Sequence, residues 1–282
     1  MKKVITVVGH TAYDYIFNVT HHPSINHSAY ITEWKKCYGG GAANIAVGIA
    51  KLGGKSRLYT IMGKDCKRYE NYLKRIGVDV ISRKSNKRMA RAYIFNSAGD
   101  QIMYFYWGAS EEMEKMDGIK SDILHIAPCH PSLAIKMAEK TKFFAFEPGQ
   151  DLKKFDKESL MYIAEKADII FCNETELKQL EKIIRLNKKE IIVTLGSKGS
   201  IIYSRKIKIP PVPAKAIDAT GAGDAYKAGF WVAFMKEYDL TKCCKIGATV
   251  ASFVIEKMGA QHFPQWEKVL KRYEKFFGKL KL

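Results

Sequence analysis

Asp218-Ala219-Thr220-Gly221-Ala222-Gly223-Asp224 sets a run of small residues between two acids. It follows an extended approach, Ile207-Lys208-Ile209-Pro210-Pro211-Val212-Pro213, and leads into a strongly helical stretch. Thr220 to Gly223 therefore stand at a helix N-terminus. Small residues there let backbone N–H groups come close to a ligand, and the helix dipole favours negative charge. An acid in the first helical turn ordinarily stabilises the helix. Asp224 has a second use: a carboxylate beside an anion site can take the proton from an attacking hydroxyl, which suits phosphoryl transfer.

A second glycine-rich element, Gly39-Gly40-Gly41-Ala42-Ala43-Asn44, also opens a helix, with Ala42, Ile45, Ala46, Ile49 and Leu52 recurring at a period near 3.6. Three glycines permit backbone approach to a ligand. Asn44, one turn in, offers a donor and an acceptor to a hydroxylated molecule. The bland alternative is a tight turn ahead of a packed helix. No Lys-Ser/Thr pair follows, so this is not a Walker loop, and the spacing is not the dinucleotide fingerprint.

Between these elements, short β-branched runs alternate with helical patterns, the mark of a mostly parallel α/β sheet. Strands are expected at Val4–Gly9, Arg57–Met62, Ile123–Ile126, Phe143–Phe146, Ile169–Cys172 and Ile191–Leu195. Helices are expected at Gly41–Leu52, Ser132–Lys140, Lys157–Lys166 and Glu174–Ile183, with two more between Ala222 and Lys257. Two aromatic-rich regions break the rhythm, Tyr13–Trp34 and Ala90–Trp107. In the second, Ala92, Ile94 and Asn96 alternate with Tyr93 and Phe95, and Asn96 to Asp100 supply a turn. These regions read as antiparallel strands of a small separate sheet. An exposed aromatic sheet invites aggregation, and a substrate cleft or a second subunit would cover it.

The composition bounds the rest. With 282 residues, 47% hydrophobic, the chain has ample material for one large core. Six scattered cysteines show neither a disulfide framework nor metal-ligand spacing, which suggests a reducing cytoplasm. The apolar run after Met1 is too short for a signal peptide and reads as a first strand. No stretch reaches the roughly 20 apolar residues of a spanning helix, so no membrane partner is expected. The net charge of +18 is spread along the chain and shows no recognition helix, so it reads as a solvated surface that attracts anionic nucleotides. No nucleic-acid partner is expected.

In their order and spacing, the glycine-rich start with Asn44 and the Asp-x-Thr-Gly-Ala-Gly-Asp run resemble the signatures of the ribokinase (PfkB) family of sugar and nucleoside kinases, over essentially the whole chain. The resemblance implies a ribokinase-like three-layer α/β/α sandwich with a mostly parallel central sheet and a small antiparallel β lid. Residues 1–282 would form one domain, with lid segments at about 13–35 and 90–107 inserted in it. It implies ATP as donor with Mg²⁺, and it leaves open a monovalent cation near Asp218. Asp224 would be the general base, and the amides of Gly221, Ala222 and Gly223 would stabilise the transferring group. Asp14 and Asn44, with the backbone of Gly40 and Gly41, would hold paired sugar hydroxyls. Asn173 and Glu176 match an Asn-x-x-Glu motif that organises magnesium and phosphates, Glu176 acting through water or phosphate. Thr194, Gly196, Ser197 and Gly199 match a nucleotide-binding turn. Gly259-Ala260-Gln261, with Pro264, resembles the segment closing the adenine pocket. Ala219 stands where threonine or proline is common. Alone, several of these have plainer readings: Asn173 and Glu176 as a helix start, Thr194 to Gly199 as a hairpin turn, and Asp14 as a turn cap.

Within the family, Gly9–Val19, Tyr106–Ala109 and Glu147–Leu152 look closest to archaeal broad-specificity nucleoside kinases. Gln150 stands where many sugar-acid kinases carry arginine, and its neutral amide suits an uncharged substrate. Lid aromatics could stack a base, although most of them would pack the small sheet. Gln101 and Met103 share one face of a lid strand and are placed against the nucleoside. The expected activity is γ-phosphoryl transfer from ATP to a nucleoside 5′-hydroxyl, with a ribokinase or fructokinase type of sugar kinase as the alternative. A homodimer through the lid is expected.

Overall fold

The computed structural model describes residues 3–184 and 189–280. The chain begins with β1 (Ile5–Val8), β2 (Ala12–Val19), β3 (Ile31–Gly39), α1 (Gly41–Lys51), β4 (Ser56–Met62), α2 (Lys67–Ile76) and β5 (Asp79–Lys84). It continues through β6 (Ala90–Ser97), β7 (Asp100–Tyr106), β8 (Ile123–Ile126), α3 (Pro131–Glu139), β9 (Phe144–Phe146), α4 (Lys157–Lys166), β10 (Ile169–Asn173) and α5 (Glu174–Leu180). Then come β11 (Glu190–Thr194), β12 (Ser200–Ile202), β13 (Ile207–Ile209), α6 (Ala222–Met235), α7 (Leu240–Val254) and α8 (Trp266–Phe277).

The main sheet has nine strands in the order β13-β12-β11-β10-β9-β8-β1-β4-β5. All pairings from β11 to β5 are parallel, and β12 and β13 close one edge antiparallel. β1 and β8 read Ile-Thr-Val-Val and Ile-Leu-His-Ile because both of their faces are covered, and every one of their residues is buried. One face packs on α1, α2, α6, α7 and α8, and the other on α3, α4 and α5, giving three layers. The strand order reverses at β1, whose neighbours β4 and β8 lead to opposite edges. In open α/β sheets such a switch point splays the connections at the carboxyl ends of the strands and leaves a crevice there.

The small sheet has the order β3-β2-β6-β7. The two expected antiparallel pairs are present, β2 with β3 and β6 with β7, but the central pairing of β2 with β6 is parallel. Both strands leave the main sheet from the same end, so they run side by side in one direction. β3 also extends beyond Trp34 to Gly39, so that its last residue delivers the chain to the glycine turn before α1. The elements α2, β5 and α8 had no counterpart among the expected ones. Strong charge masks them: α2 reads Lys-Arg-Tyr-Glu-Asn-Tyr-Leu-Lys-Arg-Ile and buries only Tyr69 and Leu73. Of the expected helix Glu174–Ile183, the α-helical part ends at Leu180.

α6 is covered on every side, with Ala225 through Ala233 all buried. Its interface with α7 works because glycine lets the axes come close. A Cβ at Gly229 would lie 2.7 Å from Val250 Cγ2 and 3.1 Å from Gly247 Cα. Gly229→Val therefore overpacks this contact and should cost about 1–3 kcal/mol. A urea melt reads this as a lower midpoint, and an unchanged midpoint would contradict so close a packing.

Candidate active site

At the switch point a cavity of about 440 Å³ opens beneath the lid. The main sheet contributes residues just beyond its strand ends: His10 after β1, Pro128 after β8, Glu147, Gly149 and Gln150 after β9, and Asn173 at the end of β10. The lid contributes Asp14, Ala92, Ile94, Gln101, Met103 and Phe105. The two glycine-rich turns contribute Gly40, Gly41 and Asn44 from one side and Thr220, Gly221 and Asp224 from the other.

The structure thus gathers Asp14, Gly40, Gly41, Asn44, Gln101, Met103, Gln150, Asn173, Glu176, Gly221 and Asp224 around one space. Ala222 and Gly223 form the next residues of the α6 N-terminus, behind Gly221. The Ala222 N–H donates to the Ala219 carbonyl at 3.1 Å, so it is engaged within its own turn. Thr194, Gly196, Ser197 and Gly199 lie outside this cavity in the turn between β11 and β12, where the Leu195 N–H donates to the Gly199 carbonyl. Thr194 is the direct neighbour of Asn173 in the paired strands, so that turn flanks the cavity one strand away.

The glycines answer specific close approaches. A Cβ at Gly39 would fall 2.0 Å from the Asp14 carboxylate. Gly40 has φ +92, and a Cβ there would lie 2.5 Å from the His10 carbonyl oxygen. Both the conformation and the space exclude a side chain.

Asp224 is held from two sides. Asn44 Nδ2 donates to Asp224 Oδ2 at 2.8 Å, and the Lys227 ammonium lies 3.5 Å from Oδ1. Lys227 also pairs with Glu147, and both are nearly out of solvent. Behind them, Trp231 Nε1 donates to His125 Nδ1 at 3.1 Å, which leaves the His125 Nε2 proton to face Glu147 at 3.3 Å. His125 is therefore neutral, as its burial also favours. Burial alone would raise the Glu147 carboxyl, but the Lys227 charge and the His125 hydrogen bond outweigh it and hold it at about 2. The Asp224 carboxyl is raised, first by burial, with Lys227 and Asn44 opposing and the nearby Glu147 charge adding.

Asn44 is fixed in turn. Gln261 Nε2 donates to Asn44 Oδ1 at 2.9 Å and lies 2.8 Å from the Tyr69 hydroxyl, which donates to the Gly39 carbonyl. Gln261 thus turns its side-chain amide towards α1 and α2. Asn173 and Glu176 form a capping box: Asn173 Oδ1 accepts from the Glu176 N–H at 2.9 Å and Glu176 Oε2 from the Asn173 N–H at 3.0 Å. The plain reading and the functional one coexist here, since both residues also line the cavity. Asp218 closes the neighbouring loops, accepting from Thr220 N–H, Thr220 Oγ1, Gly259 N–H and Asn96 Nδ2. With the Gln101 amide 3.2 Å from Thr220 Oγ1, this latches the lid onto the Asp218 turn.

Of the lid aromatics only Phe105 reaches the cavity. Tyr15 stacks on Tyr93, and Phe17 on Phe95, across the opposite face of the small sheet. Residues with no assigned role in the sequence complete the site: Lys227 and Glu147, and the buried His10, whose Nε2 lies 2.7 Å from Asp151 Oδ2. The signal for Lys227 was a lysine at an otherwise apolar position of α6, three residues after Asp224.

A carboxylate at a helix N-terminus, facing a cavity lined by Asp14 and Asn44 and flanked by acidic and amide groups at strand ends, suits a kinase that phosphorylates an alcohol. Residues 2–268 match the pfkB family carbohydrate kinases, and the chain belongs to that family. It is a phosphotransferase acting on a hydroxyl acceptor. It is 42% identical to a nucleoside kinase of Methanocaldococcus jannaschii, over 96% of this chain and 97% of that one. The crystal structure of the nucleoside kinase from that organism superposes with a TM-score of 0.88 over 98% of this chain and 99% of the other. A nucleoside kinase of Methanothermobacter thermautotrophicus is 33% identical over 97% and 96% of the two chains. A Burkholderia thailandensis nucleoside kinase solved with inosine is 25% identical, with a TM-score of 0.88 over 98% and 100%.

Two predictions follow from the buried charges. Lys227→Met strands the Glu147 carboxylate and should cost about 3–5 kcal/mol, read by denaturant unfolding; Glu147→Gln added to it should restore part of that loss. The Asp14 carboxyl is pushed up to about 8 by burial and by the Asp224 and Asp218 charges. It stays protonated in the folded protein while the unfolded one ionises near 3.9. Its contribution to stability is thus complete below about pH 4 and lost as pH rises through 8. Asp14→Asn should therefore raise the melting temperature at pH 8 relative to wild type, with the gain shrinking towards pH 4. A gain independent of pH would contradict the shift.

Proposed function

We propose that this protein is an ATP-dependent nucleoside kinase that transfers the γ-phosphoryl group to the 5′-hydroxyl of a nucleoside, with Asp224 as general base. The observation that carries this reading is the place of Asp224, between the Asn44 amide and the α6 N-terminus, on the wall of a cavity that Asp14 and Gln150 also line. The named activities of the relatives support the nucleoside as acceptor. The neutral Gln150 suits it, and Ile94, Met103 and Phe105 supply apolar faces for a base.

In this mechanism Asp14, Asn44 and the Gly40–Gly41 backbone hold the ribose 2′ and 3′ hydroxyls, which leaves the 5′ oxygen facing Asp224. As that oxygen attacks the γ-phosphorus, its proton passes to the Asp224 carboxylate and ADP departs with the bonding pair. The raised carboxyl is a stronger base than an ordinary aspartate, and the Lys227 charge opposes that rise. The Gly221 and Gly223 amides point a partial positive charge at the transferring group. ATP would extend from Asn173 towards Thr194, Gly196, Ser197 and Gly199.

Among the described residues no cluster of three acidic, His or Cys side chains forms a metal cage. Glu147, Asn173 and Glu176 on one wall fit Mg²⁺, which binds through few carboxylates and otherwise through water and phosphate. When bound, Mg²⁺ would neutralise phosphate charge. Among the described residues Asp218 Oδ2 accepts only from Gly259, so a lone pair remains for a monovalent cation.

The outer lid face exposes Trp34, Tyr104 and Tyr106 and supports a homodimer through the lid. Six free thiols suit a reducing cytoplasm. Among the described residues no helix is long and apolar enough to cross a membrane.

Asp224→Asn should lower kcat by about 10²–10⁴ with ATP affinity nearly unchanged, measured by ADP release with inosine, cytidine or adenosine as acceptor. Near-normal turnover would remove the base role, and turnover with ribose but none of the nucleosides would remove the nucleoside reading. Sedimentation should give a dimer in wild type and a monomer in Trp34→Glu/Tyr104→Glu.

A further inference from the structure

A second cavity, of about 460 Å³, lies behind the glycine turn between the edge strand β3, α1, α2 and the Gly259–His262 segment. Its charge is one-sided. Lys35, Lys36, Lys51 and Arg68 all line it, and among the described residues no carboxylate does. None of these four cations belongs to an ion pair among the described residues, although eleven pairs of Lys or Arg with a carboxylate occur elsewhere in them.

One of these cations is held at a cost. Lys51 is half-buried, and its ammonium donates to the Gln261 carbonyl at 2.9 Å. A carbonyl offsets only part of the loss of water around a full charge, and burial accordingly lowers the Lys51 pKa. His262 at the rim is lowered too, first by burial and then by Lys35, Lys257 and Lys51. Lys36 sits 4.1 Å from the centre of the Tyr13 ring, again without an anion. Inside the wall, Gln261 Oε1 is buried with no hydrogen-bond partner.

The remaining wall is aromatic. Tyr13, Tyr38 and Tyr72 line the cavity, with the Tyr38 and Tyr72 rings 4.7 Å apart. The volume falls in the range of small-molecule sites. An arginine fork with two or three lysines suits the oxygens of a phosphate, and tyrosine faces suit a planar ring or a sugar.

We propose that this cavity is a second ligand site of the protein, distinct from the catalytic cavity, that binds the phosphate group of a small phosphorylated molecule. Arg68 and Lys51 grip the phosphate, Lys35 and Lys36 add charge from β3, and the tyrosines receive the rest of the ligand. The bound dianion offsets the loss of water around the half-buried Lys51 ammonium. The site abuts the catalytic one through Gln261, whose carbonyl accepts from Lys51 and whose amide donates to Asn44.

Calorimetric titration of the full chain with inorganic phosphate and with inosine 5′-monophosphate tests this directly. Arg68→Met and Lys51→Met remove cations from this cavity and touch none of the catalytic residues. Each should weaken binding about tenfold, the worth of one charge-assisted hydrogen bond. Arg68 is exposed, so its variant folds, and matched melting curves verify this. A tighter grip on the monophosphate than on phosphate, lost in both variants, identifies a phosphorylated nucleoside as occupant. Equal and equally sensitive affinities identify phosphate alone. Either supports the site. No binding by wild type in the millimolar range, or binding that both variants leave unchanged, overturns it.

Discussion

The Lys227 ammonium ties the helix that carries Asp224 to the end of a central strand. It reaches Glu147 beyond β9 on one side and Asp224 on the other, in a place almost closed to water. An unpaired ammonium there would be prohibitive, and so would an unpaired Glu147. Each is tolerable because the other is present, with His125 and Trp231 completing the hydrogen bonding behind. The consequence is geometric: α6 cannot slide along the sheet without breaking the pair, so its N-terminus stays beneath the switch point.

From Asp224 the same order spreads through Asn44, Gln261 and Tyr69 to the Gly39 carbonyl. One polar chain thus connects α6, α1, α2 and the last residue of the lid strand β3. Such networks rigidify a core, although among the described residues Gln261 Oε1 is left here without a partner. They also concentrate like charges. Asp14, Asp218 and Asp224 all crowd one end of the molecule, and the raised carboxyls of Asp14 and Asp224 show that this end is not arranged for stability. In the proposed mechanism these carboxyls meet substrate hydroxyls and a proton, and an active site tolerates such a cost for its function.

Much of this was legible in the chain. The glycine-rich turns, the parallel core strands and the long helices α1, α6 and α7 follow from periodicity and from small residues placed where the backbone turns tightly. The alternation in β6 sorted Ala92, Ile94 and Asn96 from Tyr93 and Phe95, and the structure keeps them on opposite faces. What escaped was of two kinds. α2 and α8 are amphipathic but heavily charged, so their few buried residues, such as Tyr69, Leu73, Val269 and Tyr273, were lost among lysines and arginines. The parallel pairing of β2 with β6 joins segments more than seventy residues apart, and no local pattern encodes it.

The sequence by itself determined the chemistry: an acid at a glycine-rich helix start, an amide one turn into another, and a family whose members phosphorylate hydroxyls. Those properties are local, because a helix N-terminus and a close backbone approach are each made by a few consecutive residues. Only the tertiary structure decided what surrounds Asp224. Lys227 is three residues away in the chain, but Glu147 is 77 positions earlier and Asn44 is 180. Their effect on one carboxylate depends on distance and on exclusion of water, which exist only once the helices close over the sheet.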